Sequence, residues 1–213
     1  MNFNKAFNVQ ERQIISGYLS LMEEKPHDKI TVKELAARSS IARSTFYRFF
    51  ADTYDLLERL ELYLLDELVL YRPHMGIAAT TVHDGEQEDN LAGKPFESIR
   101  RFFQTGIRLR ALLRPIMGDN GDPYFKDRLA KRLRSELNSM MNDEGAPSDE
   151  MRSYYVAAIA ASYIGLLGHV AAAPNDGLLD GDRITSIANS MRVAYFRSDS
   201  TAPAISDRRL FGA

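Results

Sequence analysis

The chain has 213 residues, enough for one or two domains, and 45% of them are apolar, enough for a sizeable buried core. Its formal charge of −2 excludes a general polycation, so any attraction to nucleic acid has to be local. The absence of cysteine excludes disulfides, thiol nucleophiles and thiolate metal sites.

Helical periodicity dominates, and no alternating apolar runs joined by hairpin turns occur, so an all-α fold is expected. The first helix spans about Val9 to Glu24, with Ile14, Ile15, Tyr18, Leu19 and Met22 on one face, and ends at Pro26. A short helix follows over about Val32 to Arg38, where Thr31 and Glu34 have the spacing of a capping box. Ser39-Ser40-Ile41 breaks it from a third helix over about Arg43 to Phe49. The next begins after Asp52 and reaches about Tyr71, with Leu56, Leu57, Leu60, Leu64 and Leu68 as its buried stripe. Residues 75–95 hold three glycines, an acidic cluster and few apolar residues, and are expected to form a mobile loop. Helix resumes over about Phe96 to Leu113, GDNGDP at 118–123 is a turn, and another helix covers about Tyr124 to Asn142. Two more are expected over about Asp149 to Ala172 and Asp182 to Phe196, followed by a flexible tail at 198–213.

Tyr154 to Ala173 lacks Asp, Glu, Lys and Arg over a length that could cross a bilayer. Alanine, glycine, Ser162, His169 and three tyrosines dilute its few strongly apolar side chains, so burial inside protein is expected, with His169 as a hydrogen-bonded core residue. The polar N-terminal stretch has no secretory character, and a cytoplasmic protein that does not enter the membrane is expected.

No catalytic constellation is visible. The histidines at 27, 74, 83 and 169 lack metal-ligand spacing, and there is no phosphate-binding glycine loop or nucleophile elbow, so neither enzyme activity nor a metal or cofactor is expected.

Between Lys25 and Phe50 six cations face two anions, a local excess of four positive charges. Two short helices joined by a tight break make a helix-turn-helix. Val32, Leu35 and Ala36 face inward from the first, and Phe46 and Phe50, four apart, from the second. Arg43, Ser44, Thr45, Tyr47 and Arg48 are left to project outward, where arginine can read guanine and cations can meet phosphate. A second basic stretch, Lys126 to Arg134, is better read as a solvated helix face.

The segment ITVKELAARSSIARSTFYRFFADTYDLLERL, Ile30 to Leu60, resembles the DNA-binding segment of the TetR family of transcriptional regulators, and the likeness extends over about Val9 to Leu68. LLRPIMGDNGDPYF, Leu112 to Phe125, is similar to the second domain of one subset of that family. The resemblance implies an N-terminal three-helix helix-turn-helix domain at residues 1–53 and a C-terminal helical ligand-binding and dimerisation domain at 54–197. It implies a homodimer that holds a double-stranded operator and releases it when a small-molecule effector enters the second domain. The implied DNA contacts are Thr31, Lys33, Arg43, Ser44, Thr45, Tyr47 and Arg48. Three positions depart from the pattern: Ser40 replaces the usual turn glycine, Phe49 the common histidine, and Thr53 the lysine that often touches phosphate. The last two changes remove expected phosphate contacts and motivate an alternative, a helical protein-binding adaptor that has lost specific DNA binding.

In the second domain, Ala157, Ala161, Gly165, Gly168 and Ala172 form a narrow stripe of small residues. Paired with the apolar stripe of Ile184, Ile187, Met191 and Ala194, it is expected to form a four-helix dimer interface. Phe102, Phe103, Tyr124, Tyr155 and Tyr163 are candidate linings of an apolar ligand pocket. Arg100, Arg101, Arg108, Arg110 and Arg114 crowd one stretch, where a solvated face is the simpler reading than an anion site.

Overall fold

The structure is a computed structural model, and it describes residues 3–69, 97–143, 148–174 and 180–190. The expected loop at 75–95, the tail at 198–213, Met191 and Ala194 lie outside the described residues. Among those described there is no strand. The helices described are α1 (Phe3–Ala6), α2 (Val9–Met22), α3 (Val32–Arg38), α4 (Arg43–Tyr47), α5 (Thr53–Val69), α6 (Glu97–Arg108), α7 (Arg110–Met117), α8 (Phe125–Asp143), α9 (Glu150–Ala172) and α10 (181–190), with a 3₁₀ turn at His27–Lys29.

Local chemistry sets the starts. Asn8 caps α2, accepting from the Gln10 and Glu11 amides, while the Glu11 carboxylate accepts the Asn8 amide in return. Asp149 caps α9, and Asp180 accepts the Asp182 and Arg183 amides at the start of α10. One helix expected over Phe96 to Leu113 is two: the chain bends at Leu109 and continues through Pro115 to Met117. Pro115, in the last turn of α7, has no N–H to donate to the Ala111 carbonyl, so that backbone bond is absent.

The apolar stripes of α2 and α5 are buried as the spacing requires: Ile14, Leu56, Leu60 and Leu64 are fully inaccessible. α2 packs on α3, α3 on α4, and α2 also on α7. α5 packs on α6 and α8, and α9 covers α6, α7 and α8. A single core cluster runs from Phe7 to Ala188. Gly17 lets α3 cross α2 closely, since a Cβ there would lie 2.2 Å from Ser39 Oγ and 3.4 Å from Leu35 Cδ1.

α9 is not buried all round. Tyr155, Val156, Ile159, Ala160, Tyr163, Leu167, Val170 and Ala171 face the core, whereas Tyr154 is 70% exposed and Ala161 and Gly165 are exposed. His169 is exposed, contrary to the expectation of a core histidine, because it falls on this outer face with Ala158, Ala161 and Gly165. α9 is long and apolar enough to cross a membrane.

Candidate nucleic-acid interface

The first half of the motif is built by its own caps. The Thr31 hydroxyl donates to Glu34 Oε2 at 2.7 Å and accepts the Glu34 amide at 3.3 Å. Lys25 donates to Glu34 Oε1 at 2.5 Å; this bond, then those from Thr31, hold the Glu34 carboxyl down at about 2. Thr31 therefore serves the helix start first, while Lys33, two residues on, is exposed and unpaired among the described residues.

The break is a Schellman turn. The Ile41 amide donates to the Ala36 carbonyl at 3.0 Å and the Ser40 amide to the Ala37 carbonyl at 3.1 Å. That pattern demands a left-handed residue, and Ser40 takes it with φ of 52°. The departure from the usual glycine thus falls on the position where glycine costs least.

α4 follows with its inner and outer faces separated. Phe46 and Phe50 are buried, their ring centroids 5.7 Å apart. Tyr47 is 59% exposed and stands edge-on to Phe46 at 5.5 Å. Arg43, Ser44 and Arg48 are exposed, and Thr45 is half-buried.

Charge pairing sharpens the basic surface. Glu24, just outside the segment counted from sequence, takes two bonds from Arg38 at 2.8 and 2.9 Å. Lys25 is paired with Glu34 and Lys29 with Asp28. The remaining cations of the motif, Lys33, Arg43 and Arg48, face no carboxylate among the described residues.

Three supporting residues escaped the sequence reading. Arg59 donates to the Phe49 carbonyl and to Glu11 Oε1, each at 2.8 Å, and its guanidinium lies 4.8 Å from the Phe50 ring centroid. It pins the end of α4 to α2 and α5. Gln10 accepts a bond from Arg48 at 2.6 Å, and Arg48 also stacks over Phe49 at 4.9 Å. The Asn8-x-x-Glu11 capping pattern was readable; the Arg59 and Gln10 partnerships, spanning 48 and 38 positions, were not. Thr53, at the usual lysine position, is buried and offers no cation.

In the second part, Phe102, Phe103 and Tyr163 come together with ring centroids 5.1 to 6.1 Å apart. Tyr155 is buried, but Tyr124 is 66% exposed and does not join them, because it precedes α8 on a turn whose Asp122 side chain accepts its amide. Of the small stripe, Ala161 and Gly165 are exposed and Ala157 and Gly168 half-buried; Ile184 is half-buried and Ile187 is 50% exposed. Arg100 pairs with Asp182, Arg101 with Glu97 and Arg108 with Glu67, and Arg110 donates to the Pro174 carbonyl, so most of the arginine crowd is already engaged.

Residues 14–60 match the model of the bacterial regulatory proteins of the tetR family. No curated protein matches the chain. Solved structures share the fold at low identity. The dihydroxyacetone kinase operon activator DhaS has a TM-score of 0.55 at 15% identity, covering 89% of this chain and 97% of that one. The fatty acid degradation regulator FadR from Bacillus halodurans has 0.55 at 12%, covering 90% and 98%. A TetR-like transcriptional regulator from Rhodococcus sp. RHA1 has 0.50 at 12%, covering 92% and 98%. Residues 14–60 thus carry a helix-turn-helix segment of the tetR-family type, and the chain shares the all-helical fold of these solved structures.

Proposed function

We propose that the chain is a dimeric regulator that binds operator DNA through α3 and α4 and leaves it when a small molecule enters the second part of the chain. The observation that carries this reading is the outer face of α4: Arg43, Ser44, Tyr47 and Arg48 project from a helix anchored by buried Phe46 and Phe50, and no carboxylate neutralises its arginines among the described residues. In this reading residues 1–53 hold the DNA and residues 54–197 form the regulatory and dimerising domain of a cytoplasmic protein. The exposed stripe of Ala161 and Gly165, on the same helix as exposed Tyr154, pairs with a second copy and sets two α4 helices about 34–36 Å apart on one side of a duplex. A ligand lodged against Phe102, Phe103 and Tyr163 would displace α6 and α9, and with them the spacing of the reading heads. Release of this kind makes the protein a repressor where the operator overlaps a promoter.

Fluorescence anisotropy with duplex DNA from upstream of the protein's own gene tests the reading. Tight, salt-dependent binding that prefers this duplex to a random one is expected. Equal, weak binding to both would remove the operator-binding function and favour a protein-binding adaptor.

A further inference from the structure

After α4, Phe49 and Thr53 offer no cation, and Thr53 is buried. A duplex bound through α4 therefore needs another backbone contact at the end of that helix. Arg48 stands there, exposed, with its guanidinium 4.9 Å from the Phe49 ring centroid. The Phe49 ring thus serves as a platform for the neighbouring cation. Gln10, exposed at the start of α2, accepts one Arg48 N–H at 2.6 Å.

The partner's chemistry is informative. Arg38 and Arg59 are held by carboxylates, Glu24 and Glu11, which orient them and also cancel their charge. Gln10 orients Arg48 and leaves its charge whole. A guanidinium has five N–H donors, so four remain after the bond to Gln10, enough for two-pronged binding of a phosphate. Fixing a long side chain beforehand also lowers the ordering cost of binding.

We infer that Gln10 is a positioning residue that holds Arg48, stacked on Phe49, for a phosphate of the DNA backbone, and that Arg48 supplies the contact Phe49 and Thr53 lack. This rests on the DNA-binding reading above. It gives α2, otherwise a core helix, a part in DNA affinity that carries no sequence preference.

The test is a salt titration of binding to the upstream duplex and to a random duplex, for the full chain and for Arg48→Ala, Gln10→Ala and the double variant. All three changes are at exposed positions, so thermal unfolding is expected to match the parent. Arg48→Ala is expected to weaken binding to both duplexes about tenfold and to lower the slope of log affinity against log salt by about 0.9. Gln10→Ala is expected to weaken both roughly threefold with the slope unchanged, since the phosphate contact persists at a higher ordering cost. In the Arg48→Ala background, Gln10→Ala is expected to change nothing. An unchanged slope for Arg48→Ala overturns the inference while leaving the DNA reading intact. A further loss from Gln10→Ala in that background shows that Gln10 acts without Arg48, and also overturns it. If the parent binds neither duplex, the DNA reading itself falls.

Discussion

The backbone amide of His27 donates to the carbonyl oxygen of Asn120 at 2.8 Å, joining the loop before α3 to the turn before α8. The same turn supplies Asp122, which shares the Arg128 guanidinium with Glu61 of α5. The loop before α3 is thus bonded to a turn that a divided ion pair anchors to α5.

Gly121 is what that turn depends on. A Cβ there would lie 2.0 Å from the Ile116 carbonyl oxygen, an atom the backbone cannot easily move. Gly121→Ala is expected to destabilise the chain by about 2 kcal/mol or more, read as a lower urea midpoint at unchanged slope.

Ser40 gives the opposite sign. Its φ of 52° is strained for any residue with a Cβ, and the Schellman bonds leave it no other choice. Ser40→Gly is expected to raise stability by about 0.5–1 kcal/mol, part of the relieved strain being offset by the greater freedom of glycine in the unfolded chain. Chemical unfolding of the two proteins side by side measures the difference.

Glu61 predicts a pH dependence. Burial pushes its carboxyl from the ordinary 4.5 up to about 7; the Arg128 charge pulls it down, but Arg128 also serves Asp122, whose own charge pushes Glu61 up again. Between these values the folded chain holds a proton that the unfolded chain has released. The folded state binds more protons, so stability falls as pH rises through that window and levels off above it. Glu61→Gln is expected to flatten this fall in thermal melts across the window, with Tyr18, the buried phenol raised by burial and by Glu61, still neutral throughout.

Arg43 and Tyr47 are expected to separate the two kinds of DNA contact. Tyr47→Ala should weaken binding to any sequence, whereas Arg43→Ala should also cost about 1–3 kcal/mol of discrimination between the upstream duplex and a random one. Competition titrations against both duplexes read the two effects apart; equal losses on both duplexes for both variants would deny Arg43 a reading role.

Gly165 offers a clean test of the dimer. A Cβ at this position meets nothing within 4 Å in the single chain, so Gly165→Leu leaves the subunit's packing alone. The bulk it adds lies on the outward stripe beside Ala161, where two backbones are expected to approach. Sedimentation should show the parent as a dimer and the variant shifted to monomer, with its helical signal unchanged.

Much of this was legible along the chain because it is governed by near neighbours. The α3 limits, its Thr31–Glu34 cap and the inward Phe46–Phe50 pair depend on spacings of three or four residues, which a helix maps directly onto faces and ends. The stripes of α2 and α5 followed for the same reason, and so did the outward direction of Arg43, Tyr47 and Arg48.

Tertiary structure decided what depends on residues far apart in the chain. Glu24 neutralises Arg38 from the turn after α2, so a count of charges within the motif overstated its free surface. Whether α9 shows one covered face or two depends on which helices reach it, and its uniform composition carries no trace of that, so His169 and Gly165 emerged at the surface. Tyr124 lay one residue from a buried phenylalanine and still turned to solvent, because the cap at Asp122 fixes the direction of the chain there. Arg59 on Glu11 and Arg48 on Gln10 are contacts between side chains brought together only when α2, α4 and α5 pack, since hydrogen bonding depends on distance in space and not on order in the chain.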